Sequence, residues 1–142
     1  MEGLYGGRFK VGCYWFQVGT SDFLHSFFST ICIRLEHGKW GSVYPKLMEE
    51  LYQGCLKNQD LNEGLEELCK VKKELKNFSP SYVIWDAEDL SLTPPWGNNI
   101  SSDITDLSNY FVTSDGRDLI SVLNEALEDA KEMHCDIEID NL

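Results

Sequence analysis

The chain has 142 residues, 42% of them hydrophobic and 12% aromatic, and a formal net charge of −12. That apolar content supports one folded domain with a real core and argues against an acidic disordered chain. The charge argues against nucleic acid or anionic membrane as partner, and no apolar run reaches the roughly 18 residues needed to span a bilayer.

Residues 1–8 are Gly-rich and lack the basic-then-apolar pattern of a secretory signal. They are expected to form a flexible amino-terminal segment, with residues 9–142 a single domain and the protein in the cytoplasm. Phe9 to Val18 is aromatic and β-branched, which predicts a buried strand. Thr20 or Ser21 then caps a helix whose buried face carries Phe23, Phe27, Phe28, Ile31 and Leu35, and Gly38 ends it. A loop through Trp40-Gly41 leads to Pro45, which starts a second helix carrying Leu47, Met48, Leu51 and Tyr52, closed by Gly54.

Asp60 with Glu63 forms a capping box for a third helix. Its buried stripe is Leu61, Leu65, Leu68, Val71 or Lys72, Leu75 and Phe78, and its outer face pairs Glu66 with Lys70. Pro80 stops it, and Tyr82 to Trp85 reads as a short β run ending at Asp86. From Ala87 to Asp106 there is no clean period; Pro94-Pro95-Trp96-Gly97-Asn98-Asn99 concentrates turn-forming residues in a loop long enough to be functional. Tyr110 to Thr113 reads as a further strand. Ser114 or Asp115 caps a last helix with Leu119, Val122, Leu123, Ala126, Leu127 and Ala130 inward. Cys135, Ile137 and Ile139 then alternate with Asp136, Glu138 and Asp140, a half-buried strand with an acidic outer face. This order predicts an α+β or α/β fold, a small sheet of about four strands with helices packed on it.

The five cysteines are odd in number and have no C-x-x-C spacing, so they read as free thiols. No P-loop, G-x-G-x-x-G or nucleophile elbow is present. The histidines His25, His37 and His134 are dispersed, and His25 reads as a satisfied side chain rather than a ligand.

The charge is strongly regional. Residues 1–85 hold ten acids and ten bases, which cancel; residues 86–142 hold fourteen acids against Arg117 and Lys131, which accounts for the whole −12. Such a field attracts a basic partner and raises its encounter rate. Within the acidic region, Asp86, Glu88, Asp89, Asp103, Asp106 and Asp115 supply charge, and Trp96, Asn98, Asn99 and Tyr110 supply contact. Trp85 reads as core, and Trp96 either as a contact or as a staple for its own loop. Two other functions remain open: a metal-dependent hydrolase using Asp86, Glu88 and Asp89, completed by Asp103 or Asp106, and an adaptor for a basic peptide.

Several long strings resemble immunity protein family 70: His25 to Ile31, Lys39-Trp40-Gly41, Glu50 to Gly54, Val83 to Leu90, Pro94 to Ser101 and Asp103 to Gly116. The resemblance covers roughly Phe9 to Ile139. It implies a bacterial immunity protein of a polymorphic-toxin or contact-dependent growth inhibition system, which binds and blocks a cognate toxin carboxyl-terminal domain without catalysis or cofactor. It carries over no interface residues. That the toxin is a basic nuclease follows only by analogy with other such systems.

Overall fold

A computed structural model describes residues 7–12, 14–19 and 21–141. Residues 1–6 of the expected flexible segment 1–8 lie outside these, as do Cys13 and the Thr20 cap. Strand β1 (Gly7–Val11) begins within the segment expected to be loose and turns back at Gly12 into β2 (Tyr14–Gly19). The expected single strand from Phe9 to Val18 is therefore a hairpin. Gly12 explains the break, because its φ of 59° reverses the chain in a region that side chains with a Cβ avoid.

Helix α1 (Ser21–Thr30) follows and widens at Ile31–Leu35, where the Glu36 N–H reaches back to the Ile31 carbonyl at 3.1 Å. His37 and Gly38, at φ 54° and 83°, end it. A second short helix spans Lys46–Leu51, and strand β3 is Cys55–Leu56. Helix α2 runs Leu61–Leu75, α3 runs Leu119–Glu132, and β4 is Ile137–Asn141. The four strands form one antiparallel sheet in the order β2-β1-β4-β3, with Phe9 opposite Ile139 and both Val11 and Leu56 opposite Ile137. The fold is α+β. The period-two pattern of β1 puts Phe9 and Val11 into the core while Lys10 stays half-exposed. Helices α2 and α3 pack on one another, and their buried residues include Leu61, Leu68, Val71 and Leu75 of α2 and Leu119, Val122, Leu123 and Leu127 of α3. Gly64 stands where a Cβ would meet Leu56 Cδ2 at 2.7 Å, so α2 lies close on β3 there.

Several local expectations are corrected. Tyr82 to Trp85 is not a strand: Pro80–Tyr82 is one 3-10 turn and the next residues are irregular. Their backbone finds partners on α1 instead of a sheet, since the Ser26 and Thr30 hydroxyls donate to the Ile84 carbonyl at 2.7 and 3.2 Å and the Ile84 N–H donates to Thr30 Oγ1 at 3.0 Å. The missing strand is β3, directly after Gly54. Tyr110 to Thr113 contributes a single bridge, Val112 to Asp118. The cap of α3 is Asp118, whose carboxylate accepts the Ser121 N–H at 3.0 Å, and not Ser114 or Asp115. Asp60 stands at the start of α2 but makes no side-chain cap; it pairs with Lys46 at 3.4 Å. Leu65 is half-buried, and Gly64 takes a buried place on that face. The thiols of Cys32, Cys55 and Cys69 are free.

The loop from His37 to Tyr44 is organised by one carboxylate. Glu36 is 1% exposed and accepts the backbone N–H groups of Gly41 at 3.0 Å and of Val43 and Tyr44, each at 2.9 Å. Gly41 has φ 78°, a backbone angle that favours glycine, and a Cβ there would fall 2.4 Å from Glu49 Cγ, so a larger residue would strain the backbone and push the exposed Glu49 side chain aside. Glu67, on α2, holds the start of the next helix by accepting the Lys46 and Leu47 N–H groups at 3.2 and 3.0 Å; burial pushes its carboxyl above the usual range against those two donors. Replacing Glu36 by Ala orphans three N–H groups at once. Calorimetry should show a loss of about 3 kcal/mol or more, lowering Tm by about 10 °C. Exposed Lys39→Ala, beside it, should change stability by no more than about 0.5 kcal/mol.

Candidate functional site

Residues 83–118 form an irregular strap, which three side chains spaced four apart tie down. Ser26 and Thr30 hold Ile84, and Arg34 donates its Nε–H to the Tyr82 carbonyl at 2.9 Å while its guanidinium lies 5.1 Å from the Tyr82 ring centroid. Beyond this anchor the strap carries every acid and aromatic residue expected at the binding surface.

Asp86 is half-buried. Its Oδ1 accepts the Glu88 backbone N–H at 2.9 Å and lies 3.3 Å from His25 Nε2. These contacts, the backbone donor first, hold its carboxyl below the usual range against the effect of burial. His25 Nδ1 lies 2.6 Å from the Tyr52 hydroxyl. A carboxylate only accepts, so Nε2 carries a proton, and in the neutral ring Nδ1 accepts from Tyr52. Burial, then the nearby Glu88 and Asp86 charges, raises the Tyr52 hydroxyl above its ordinary range. His25 is thus a satisfied histidine that joins α1, the 46–51 helix and the strap.

The aromatic residues of the strap gather around Phe23 of α1. The Phe23 ring centroid lies 5.1 Å from Trp96, 5.5 Å from Phe111, 6.1 Å from Tyr110 and 6.2 Å from Trp85. Trp96 donates its indole N–H to the Tyr110 hydroxyl at 2.8 Å. Tyr110 is 3% exposed, which corrects its expected place on the contact surface: its ring fills the cluster and its hydroxyl is spent on Trp96. Burial raises that hydroxyl's pKa, and the Trp96 donor opposes the rise. Trp96 is half-buried, with one side stapling its own loop.

The remaining acids close turns. Asp89 accepts the Ser91 N–H at 3.1 Å and its hydroxyl at 2.6 Å. Asp103 faces the Ser101 hydroxyl at 3.4 Å, and Asp115 takes the Thr113 hydroxyl. Asp106 accepts the Ser108 N–H at 2.7 Å and the Ser108 and Thr105 hydroxyls; burial pushes its carboxyl up, but these donors hold it below the usual range. Glu88, Asp89, Asp103 and Asp115 are exposed, as are Asn98 and Asn99. Asn98 borders a cleft of about 590 Å3 with Ser81, Val83, Pro94 and Ile100. Asn99 borders one of about 250 Å3 with Phe23, Trp96 and Ile104. Among the described residues no group of three or more His, Cys, Asp or Glu is arranged to hold a metal ion, and no helix is long and apolar enough to cross a membrane.

The sequence expectation omitted a third cleft, lined by His25, Trp40, Tyr52, Gln53 and Glu88. Its residues come from four separated segments, and no local pattern links them. Only Glu88 was among the residues picked out by charge.

The Trp96–Tyr110 bond predicts a measurable staple. Tyr110→Phe keeps the ring but leaves the indole N–H without its partner. It should cost about 1 kcal/mol in chemical denaturation. A loss much larger than that would mean that the hydroxyl supports more than this one bond.

No curated protein and no solved structure matches the chain. The model of a protein family, immunity protein 70, matches residues 9–139. Membership of an immunity family implies binding to a cognate toxin protein and suggests a non-enzymatic role. Nearly the whole chain lies within that match, and the protein belongs to the immunity protein 70 family.

Proposed function

We propose that this immunity protein neutralises a basic bacterial toxin domain by binding it through the strap, in the cytoplasm of the cell it protects. The observation that carries the reading is the coincidence of charge and exposure. The net charge of −12 arises from residue 86 onward, half of it within the strap (seven acids against Arg117), where Glu88, Asp89, Asp103 and Asp115 stand exposed. Turn formation uses part of each capping carboxylate and leaves its negative charge in place. A polarised surface of this kind steers a cationic protein and sets the orientation of encounter.

Asp86 and Asp106 are half-buried and support the surface from beneath. Trp96, Asn98 and Asn99 offer the desolvated and hydrogen-bonding contact around the charge, and Tyr110 fixes Trp96. A toxin that acts on an anionic substrate such as nucleic acid has the basic cleft this surface complements. On this reading the system belongs to the polymorphic toxins, with contact-dependent growth inhibition as its setting.

Reversing Asp89, Asp103 and Asp115 to Lys leaves the core untouched. With the toxin domain encoded by the neighbouring gene, stopped-flow or surface-plasmon kinetics should show association slowed by about tenfold or more, and slower in salt for the unaltered protein. Stability should fall only by the small amount expected for exposed sites, about 1–2 kcal/mol in total. Unaltered association kinetics would remove the strap as the binding surface.

A further inference from the structure

The third cleft encloses about 380 Å3, within the range of about 300–1,000 Å3 typical of specific small-group sites. His25 enters it from α1, Gly38 and Trp40 from the loop that Glu36 holds, Tyr52 and Gln53 from just beyond the 46–51 helix, and Glu88 from the strap. The Trp40 and Tyr52 rings stand edge to face, with centroids 4.9 Å apart, and His25 stacks on Trp40 at 6.4 Å. Their polar atoms are already committed. The Trp40 N–H donates to the Met48 carbonyl at 2.7 Å, and the Tyr52 hydroxyl and Asp86 occupy the two nitrogens of His25. Glu88 differs from these: it is exposed, and among the described residues its carboxylate has no hydrogen-bond or ion-pair partner. Among the described residues, no Lys or Arg lines the cleft.

An aromatic cleft with one open carboxylate and no resident cation complements a flat cation. A guanidinium stacks on aromatic rings, sheds water more readily than an ammonium, and engages a carboxylate through two parallel N–H groups. Glu88 and nearby Asp86 repel an anion. We infer that this cleft receives an arginine side chain of the partner protein, with Trp40 and Tyr52 packing on its guanidinium and Glu88 accepting its N–H groups. The inference rests on the protein-binding reading above and names the anchor within it.

The test begins without the toxin. The 15N-labelled full chain is titrated with N-acetyl-arginine amide and, in parallel, with the isosteric but uncharged N-acetyl-citrulline amide. The arginine compound should shift the Trp40 indole and the Gln53, Ala87 and Glu88 amide resonances saturably, and the citrulline compound should not. Glu88→Gln, a change at an exposed side chain, should weaken the arginine response about tenfold or more while leaving Tm unchanged. An equal response to citrulline, or shifts spread evenly over the acidic strap, overturns the assignment. In the complex with the toxin domain, Glu88→Gln should accelerate dissociation by about tenfold or more. If Glu88→Gln and Trp40→Leu dissociate like the unaltered protein while the Asp89, Asp103 and Asp115 reversal slows association, the cleft assignment falls and the strap reading survives. If neither set alters binding, both fall.

Discussion

A buried carboxylate fixes one wall of the cleft beside His25. Glu36 sits where α1 ends, almost without solvent contact, and takes three backbone N–H groups from the turn that follows. Hydrogen bonds to a charged group are worth about 1.5–3 kcal/mol each, so this single side chain competes with a good part of the stability of a small domain. The demand it makes is geometric: its acceptors point at Gly41, Val43 and Tyr44, and the loop must curl around them. Gly41 adopts a backbone angle that a Cβ would strain, and it does so against Glu49. The same curl delivers Trp40 to Met48 and so sets one wall of the cleft beside His25. Tyr44, closed in by the same loop, gives its hydroxyl to Glu74 of α2, and burial together with that carboxylate pushes its pKa well above the usual range. One acid at a helix end thereby couples α1, the loop, the 46–51 helix and α2.

The strap is held by a different principle. Its hold on the sheet is slight, the Ser114 N–H donating to the Val18 carbonyl at 2.8 Å, so most of its backbone groups need other partners. At its start the hydroxyls of Ser26 and Thr30 supply them, and farther along the strap supplies its own. Asp86, Asp89, Asp103, Asp106, Asp115 and Asn109 each satisfy a nearby N–H or hydroxyl, and the apolar side is gathered by Phe23. An Asp that closes a turn uses one or two lone pairs and keeps its full charge. A rigid irregular segment and a negative surface are therefore products of the same residues. This removes the tension between a structural and a binding role for these acids, which the sequence presents as alternatives.

What could be read beforehand follows from the length over which a pattern repeats. The stripes of α1, α2 and α3 extend over several turns, and the alternation at Ile137 and Ile139 over a whole strand, so their buried sides were legible. Strand β3 has two residues and no period to show; it exists because β4 needs a neighbour beyond β1. Tyr82 to Trp85 has strand composition, yet the hydroxyls of α1 claim its backbone. The acids of the proposed binding surface were legible because charge sums along the chain without knowledge of the fold. Tyr110 was misplaced because an aromatic between polar residues looks the same whether it caps a surface or fills a cluster. The His25 cleft was illegible for a stronger reason: residues 27 and 61 positions from His25 meet its ring, and only the folded chain reveals that they do.

On the proposed reading, charge and cavity divide the work of recognition along kinetic lines. Exposed acids act at a distance of about a Debye length, 8–10 Å at ordinary ionic strength, and so govern the rate of encounter and its sensitivity to salt. They contribute less once the partner is docked, because each stays hydrated and shares its lone pairs with a turn. A cleft acts only on contact. Its aromatic walls are already ordered by Met48, His25 and Asp86, so seating a side chain there freezes few rotamers of the receptor, and the free energy gained appears in the dissociation rate. Glu88 belongs to both, since it stands in the acidic field and at the mouth of the cleft. A cation drawn in by the field as a whole would meet this carboxylate with its hydrogen-bonding capacity unspent. An inhibitor gains from being both fast and persistent, and on the proposed reading Glu88 is the residue of the strap that serves both.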